Sequence, residues 1–139
     1  MKHLPVIGRV LFSVPFILMG LNHLVNAYLL TNAVPSFLPA EMLVVRATGI
    51  LLLLGGLAIL AGYRAHLAAL ILGIFLMMTA LLVHLPEYLG SETAVMGINP
   101  FLHMVKDFGL GGAAFFLYTI WVTQPSKAVV AGTATPATA

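Results

Sequence analysis

MLVVRATGILLLLGGLAILA (Met42–Ala61), then Gly62-Tyr63-Arg64, then AHLAALILGIFLMMTALLVH (Ala65–His84) is the stretch that decides the fold. At about 1.5 Å rise per residue, each apolar run spans about 30 Å, the thickness of a bilayer's hydrocarbon core. Arg46 is the one charged residue in the first run, and the second has none. A buried helix of a soluble protein needs only about 10–14 apolar residues. The pair therefore reads as two membrane-spanning helices joined by a tight turn.

Working outward, Leu4 to Leu30 is a third apolar run, with Pro15 near its middle and Asn22, His23 and Asn26 in its last turns. It is too long for the apolar part of a cleaved leader, so it is expected to remain as the first span. Asn32 to Glu41 contains Pro35, Ser36 and Pro39 among apolar residues, and reads as a hook in the membrane interface. Downstream, Pro86 is expected to end the third span, and a polar loop with Glu87, Gly90, Ser91, Glu92 and Asn99 leads to Pro100. A fourth span is expected from Phe101 to Thr123, with Tyr118 and Trp121 marking an interface. The expected organisation is an all-α four-helix transmembrane domain over 1–124, with spans at about 4–30, 42–61, 65–84 and 101–123. A disordered cytoplasmic tail follows at 125–139.

Composition agrees. Hydrophobic residues make up 61% and charged residues 7%, against about 45–50% and about 25% in soluble domains. So few charges cannot furnish a water-facing surface, so the lipid bilayer must be the main partner. A net charge of +2 without a basic run speaks against nucleic acid. The absence of cysteine excludes disulfide exchange, thiolate metal sites and iron–sulfur clusters. Lys2, Arg9, Arg64 and Lys127 fall on one side of the expected topology, and the two opposite loops carry only Glu41, Glu87 and Glu92. The positive-inside bias then places both termini of a multi-pass membrane protein in the cytoplasm, and a bacterial inner (plasma) membrane is the expected location on the family resemblance given below.

Ionisable groups at membrane depth are costly, roughly 2.5–3.5 kcal/mol each on insertion scales, so their positions carry information. His23 ends the first span, Arg46 opens the second, His84 ends the third, and His103, Lys106 and Asp107 lie within two turns of the start of the fourth. All fall within roughly 10 Å of the outer face. Asn99, His103, Lys106 and Asp107 share one helical face, which lipid would penalise and which should point inward. Asp107 is expected to accept from His103 or to pair with Lys106 or Arg46.

Two readings stay open. In one, Arg46, Lys106 and Asp107 form an ion-pair network that orders the bundle. In the other, these residues and the histidines line a pocket on the outer side, where imidazoles beside a carboxylate suit proton-coupled chemistry or hydrogen bonding to a quinone carbonyl. A metal or haem site from His23, His84 and His103 is a weaker alternative, because no compact ligand motif is present. Gly49, Gly55, Gly56 and Gly62, and Gly109, Gly111 and Gly112, are expected to permit close helix approach.

The chain resembles the DoxX family in three stretches. Gly8-Arg9 opens a first helix that closes with Gly20-Leu21-Asn22-His23-Leu24. The second span is rich in glycine and leucine. The fourth carries Val105-Lys106-Asp107-Phe108-Gly109-Leu110-Gly111-Gly112. The resemblance implies a four-helix bacterial membrane protein whose relatives include the membrane subunit of a thiosulfate:quinone oxidoreductase and proteins linked to oxidative-stress complexes. The resulting expectation is a quinone-linked redox membrane subunit. Asp107, His103 and Lys106 would do the proton chemistry, and His23, Asn22, Arg46 and His84 would hold the quinone, with no metal ligands. Electrons would come from a redox partner protein or respiratory-type complex, and a homo-oligomer is compatible. The alternatives are a non-catalytic accessory or scaffold subunit and, more weakly, a small-solute transporter.

Overall fold

The computed structural model describes residues 3–90 and 99–123; the loop residues Ser91 and Glu92 and the expected tail at 125–139 lie outside it. Every regular element among the described residues is helical. Helix α1 (Leu4–Val25) starts with Pro5 in its first turn, where a missing N–H costs nothing, and runs through Pro15 unbroken. The run expected to 30 divides at Asn26, whose backbone N–H bonds the Asn22 carbonyl. A one-turn helix α2 (Ala27–Leu30) and a 3₁₀ turn (Thr31–Ala33) follow.

Helix α3 (Glu41–Ala61) is entered through Ala40 in the left-handed region (φ 57°) and closed by Gly62 (φ 74°), whose N–H returns to the Ile59 carbonyl. Glycine tolerates that conformation, and this makes the turn to α4 short. Arg9 Nη1 reaches over this turn: a Cβ added at Gly62 would lie 2.8 Å from it. The start of α1 and the α3–α4 turn therefore share one end of the molecule.

Helix α4 (Ala65–Thr79) passes into a π-helical turn (Ala80–His84) and then α5 (Leu85–Gly90), giving one continuous 26-residue helix. Pro86 does not end it. A proline lacks an N–H and crowds the carbonyl four residues back, here that of Leu82. The widened turn just upstream, where the Leu85 N–H bonds the Ala80 carbonyl five residues away, accommodates both defects. Helix α6 (Pro100–Thr123) opens with Asn99 as cap: its Oδ1 accepts from the Phe101 N–H at 3.0 Å, and Pro100 follows in the first helical position.

The long helices pack as two antiparallel pairs, α1 with α3 and α4 with α6, joined by the α3–α4 contact. Backbones meet where side chains vanish. A Cβ at Gly20 of α1 would fall 2.6 Å from the Leu53 nitrogen and 2.8 Å from the Gly49 carbonyl oxygen of α3. Gly111 of α6 receives the Met77 methyl of α4. Gly109 and Gly112, expected to serve the same purpose, face open space. The buried core joins Phe16, Leu52, Ile59, Ala69, Leu72 and Leu76. Tyr118 and Trp121 lie against that core, so their rings face inward rather than only marking an interface.

The outer surface is apolar on every long helix, with Leu11, Leu18, Leu54, Ile71 and Phe116 among the exposed side chains. Water would penalise such a surface and lipid does not. Three helices, Leu4–Val25, Glu41–Ala61 and Ala65–Gly90, are long and apolar enough to cross a membrane. Helix α6 is long enough at 24 residues, but His103, Lys106 and Asp107 make it less apolar.

Candidate functional site

The π-turn sets His84 at the seam between α4 and α6, where it meets the second turn of α6. His84 Nε2 lies 3.4 Å from Asp107 Oδ2, and Nδ1 lies 3.6 Å from Glu87 Oε2 on its own helix. The imidazole is thus held between two carboxylates. Lys106 Nζ sits 3.3 Å from Asp107 Oδ1. The His103 ring stands beside His84, centroids 5.1 Å apart. Asp107 is 2% exposed, the most deeply buried ionisable side chain described; the Lys106 side chain is a third exposed, with its ammonium turned in against Asp107.

Two buried atoms in this group lack a hydrogen-bond partner, His84 Nδ1 and Asp107 Oδ1. Each has an ionisable group close by, Glu87 Oε2 at 3.6 Å from Nδ1 and Lys106 Nζ at 3.3 Å from Oδ1, but neither contact is aligned as a hydrogen bond. Buried polar atoms are normally satisfied, so two orphans in one cluster leave room for a further donor or acceptor. Imidazoles and carboxylates at these distances can pass a proton between α4 and α6.

Not every expected residue arrives here. The imidazole in contact with Asp107 is His84, expected to hold the quinone, and the His103 ring lies tilted beside it. His23 donates Nδ1–H to the Met19 carbonyl at 2.8 Å; its Cβ packs over Gly49. Lys106 Nζ touches Met19 Sδ at 3.9 Å, which brings the end of α1 to the edge of the cluster. Asn22 is exposed and accepts from Asn26 Nδ2 at 2.7 Å. Arg46 is exposed and lines a groove with Tyr28, Thr31 and Glu41. Among the described residues, no ion pair or hydrogen bond joins Asn22 or Arg46 to Asp107, so of the three expected partners Lys106 is the cation it takes. No three His, Asp or Glu side chains converge in a metal-ligating arrangement among the described residues.

Sequence reasoning missed Glu87, which it left in a polar loop after Pro86. The i,i+3 spacing from His84 was visible, but only a helix continuing through the proline turns it into a contact.

The DoxX family model matches residues 4–85. The chain belongs to the DoxX family. No curated protein and no solved structure matches it. The DoxX match runs from the first turn of α1 to just past His84, so His84 lies inside the matched region and its partner Asp107 lies in α6, beyond it.

Proposed function

We propose that this DoxX-family protein is a quinone-linked redox subunit of a bacterial inner membrane, with the α4–α6 polar cluster as its working site near the periplasmic face. The observation that carries the reading is His84 held between Asp107 and Glu87 with the His103 ring alongside. In this reading α6 is a fourth span, its polar first turns sheltered against α4, and both termini are cytoplasmic. Arg9 beside the Arg64-bearing turn supports that orientation, because it gathers basic residues at one end.

The residues fit a quinone headgroup. His84 and His103 offer ring N–H donors to a carbonyl oxygen, and two buried polar atoms in the cluster await a partner. A bound quinone would supply two-electron chemistry accompanied by proton uptake. The chain's own part is to hold and move protons. Asp107 fixes the His84 ring, Glu87 flanks its other nitrogen, and Lys106 balances the Asp107 charge at the outer edge. In this reading electrons come from a partner protein.

The test is extraction of quinones from the protein purified out of its native membrane, with a visible spectrum. Wild type is expected to retain quinone, and His84→Ala and His103→Ala to lose about tenfold or more of it, the size of one charge-assisted hydrogen bond. A quinone-free wild type that co-purifies with a fixed partner would instead favour an accessory subunit, and solute flux in liposomes a transporter.

A further inference from the structure

A second polar site stands apart from the α4–α6 cluster. A groove of about 530 Å³ lies between α2 with its 3₁₀ turn and the first two turns of α3, lined by Tyr28, Thr31, Glu41, Met42 and Arg46. That volume is in the range of small-ligand sites. Glu41 and Arg46 are both exposed, and among the described residues neither takes part in an ion pair. Five residues apart on one helix, they are separated by about 7.5 Å along its axis. Thr31 Oγ1 donates to the Tyr28 carbonyl, which leaves the hydroxyl oxygen free to accept.

Below Arg46 the same side of α3 is unpartnered. Ile50, Leu54 and Leu57 are exposed in succession. From Arg46 to Leu57 the helix rises about 16 Å, close to the roughly 15 Å depth of one leaflet. The surface thus presents, from the interface inward, an anion, a cation and an apolar track one acyl chain long.

We propose that this groove holds a phospholipid with a zwitterionic phosphoethanolamine headgroup, its phosphate on Arg46, its ammonium on Glu41 and one acyl chain along Ile50, Leu54 and Leu57. A guanidinium forks onto two phosphate oxygens, and a primary ammonium has donors for a carboxylate. An anionic headgroup would satisfy Arg46 but meet the Glu41 carboxylate, so the pair selects for the zwitterion. The site requires only that α3 spans the membrane, and it is independent of the quinone reading.

The experiment is native mass spectrometry of the full chain in detergent, titrated with phosphatidylethanolamine, phosphatidylglycerol and diacylglycerol of matched chains. Wild type is expected to retain phosphatidylethanolamine about tenfold over the other two. Arg46→Gln should remove most of that retention, Arg46→Lys should restore part of it, and Glu41→Gln should turn the preference toward phosphatidylglycerol. Both side chains are exposed, and unchanged helical circular dichroism checks that the variants fold. Equal retention of the two phospholipids by wild type, or unchanged retention in Arg46→Gln or Glu41→Gln, overturns the proposal.

Discussion

Asp107→Ala is expected to lower the unfolding free energy of the protein in mixed micelles by about 2–3 kcal/mol, read from an SDS titration followed by Trp121 fluorescence. Asp107 is nearly fully buried and touches His84 of α4 and Lys106 of its own helix. Removing one partner of a buried ion pair in a soluble protein costs about 3–5 kcal/mol, because the other charge stays buried and unpaired. Two effects reduce that here. The Lys106 side chain is a third exposed and can swing outward, and polar groups in a membrane find substitute partners in the unfolded state, so measured interactions are smaller. Asp107→Asn keeps the shape and a hydrogen-bonding oxygen and should cost about 1 kcal/mol. Replacing Asp107 and Lys106 together by leucine should be close to neutral.

The same series separates the two readings of the cluster. If the carboxylate only orders the helices, a folded Asp107→Asn protein behaves as wild type toward quinone. If Asp107 holds His84 for proton chemistry, Asp107→Asn folds yet loses about tenfold of its bound quinone. A stable Asp107→Asn protein with undiminished quinone would sink the functional reading, while a destabilised Asp107→Ala with rescue in the double leucine variant would still stand as a statement about packing.

Much of this architecture was legible because length and apolarity are one-dimensional properties. Twenty apolar residues in a row state their own role, and Gly62-Tyr63-Arg64 between two such runs states a turn. Contacts between helices are not written that way. The shared depth of His84, His103, Lys106 and Asp107 could be read from counting residues, but the choice of His84 over His103 as the imidazole touching Asp107 depends on the π-turn at Ala80–His84. That turn has no sequence signature apart from Pro86, read as a stop. Arg46 was misplaced for a related reason: depth along a helix was visible, azimuth was not, and its side chain faces the α2–α3 groove.

Gly20→Leu is expected to be the most damaging single substitution away from the polar cluster, and Gly112→Leu, the same chemical change on another helix, nearly silent. A Cβ at Gly20 would sit 2.6 Å from the Leu53 nitrogen and 2.9 Å from the Leu53 Cα, with the Gly49 carbonyl oxygen at 2.8 Å. All three are backbone atoms of a regular helix, so no side chain can rotate away, and α1 must move off α3 as a body. Overpacking in a well-filled core typically costs about 1–3 kcal/mol, and a branched side chain against backbone belongs at or above the top of that range. Gly20→Ala should already show about 1–2 kcal/mol by the same reasoning. At Gly112, which is exposed, nothing lies within 4 Å of the added Cβ, so the change should stay within about 0.5 kcal/mol. Disulfide trapping gives a local readout in this naturally cysteine-free chain. A cysteine pair introduced across α1 and α3 should crosslink in the Gly112→Leu background and fail in Gly20→Leu, whereas a pair across α4 and α6 should crosslink in both. Equal crosslinking of the α1–α3 pair in the two backgrounds would mean that these helices do not meet at Gly20, and with that contact goes the route by which Met19 brings α1 to Lys106.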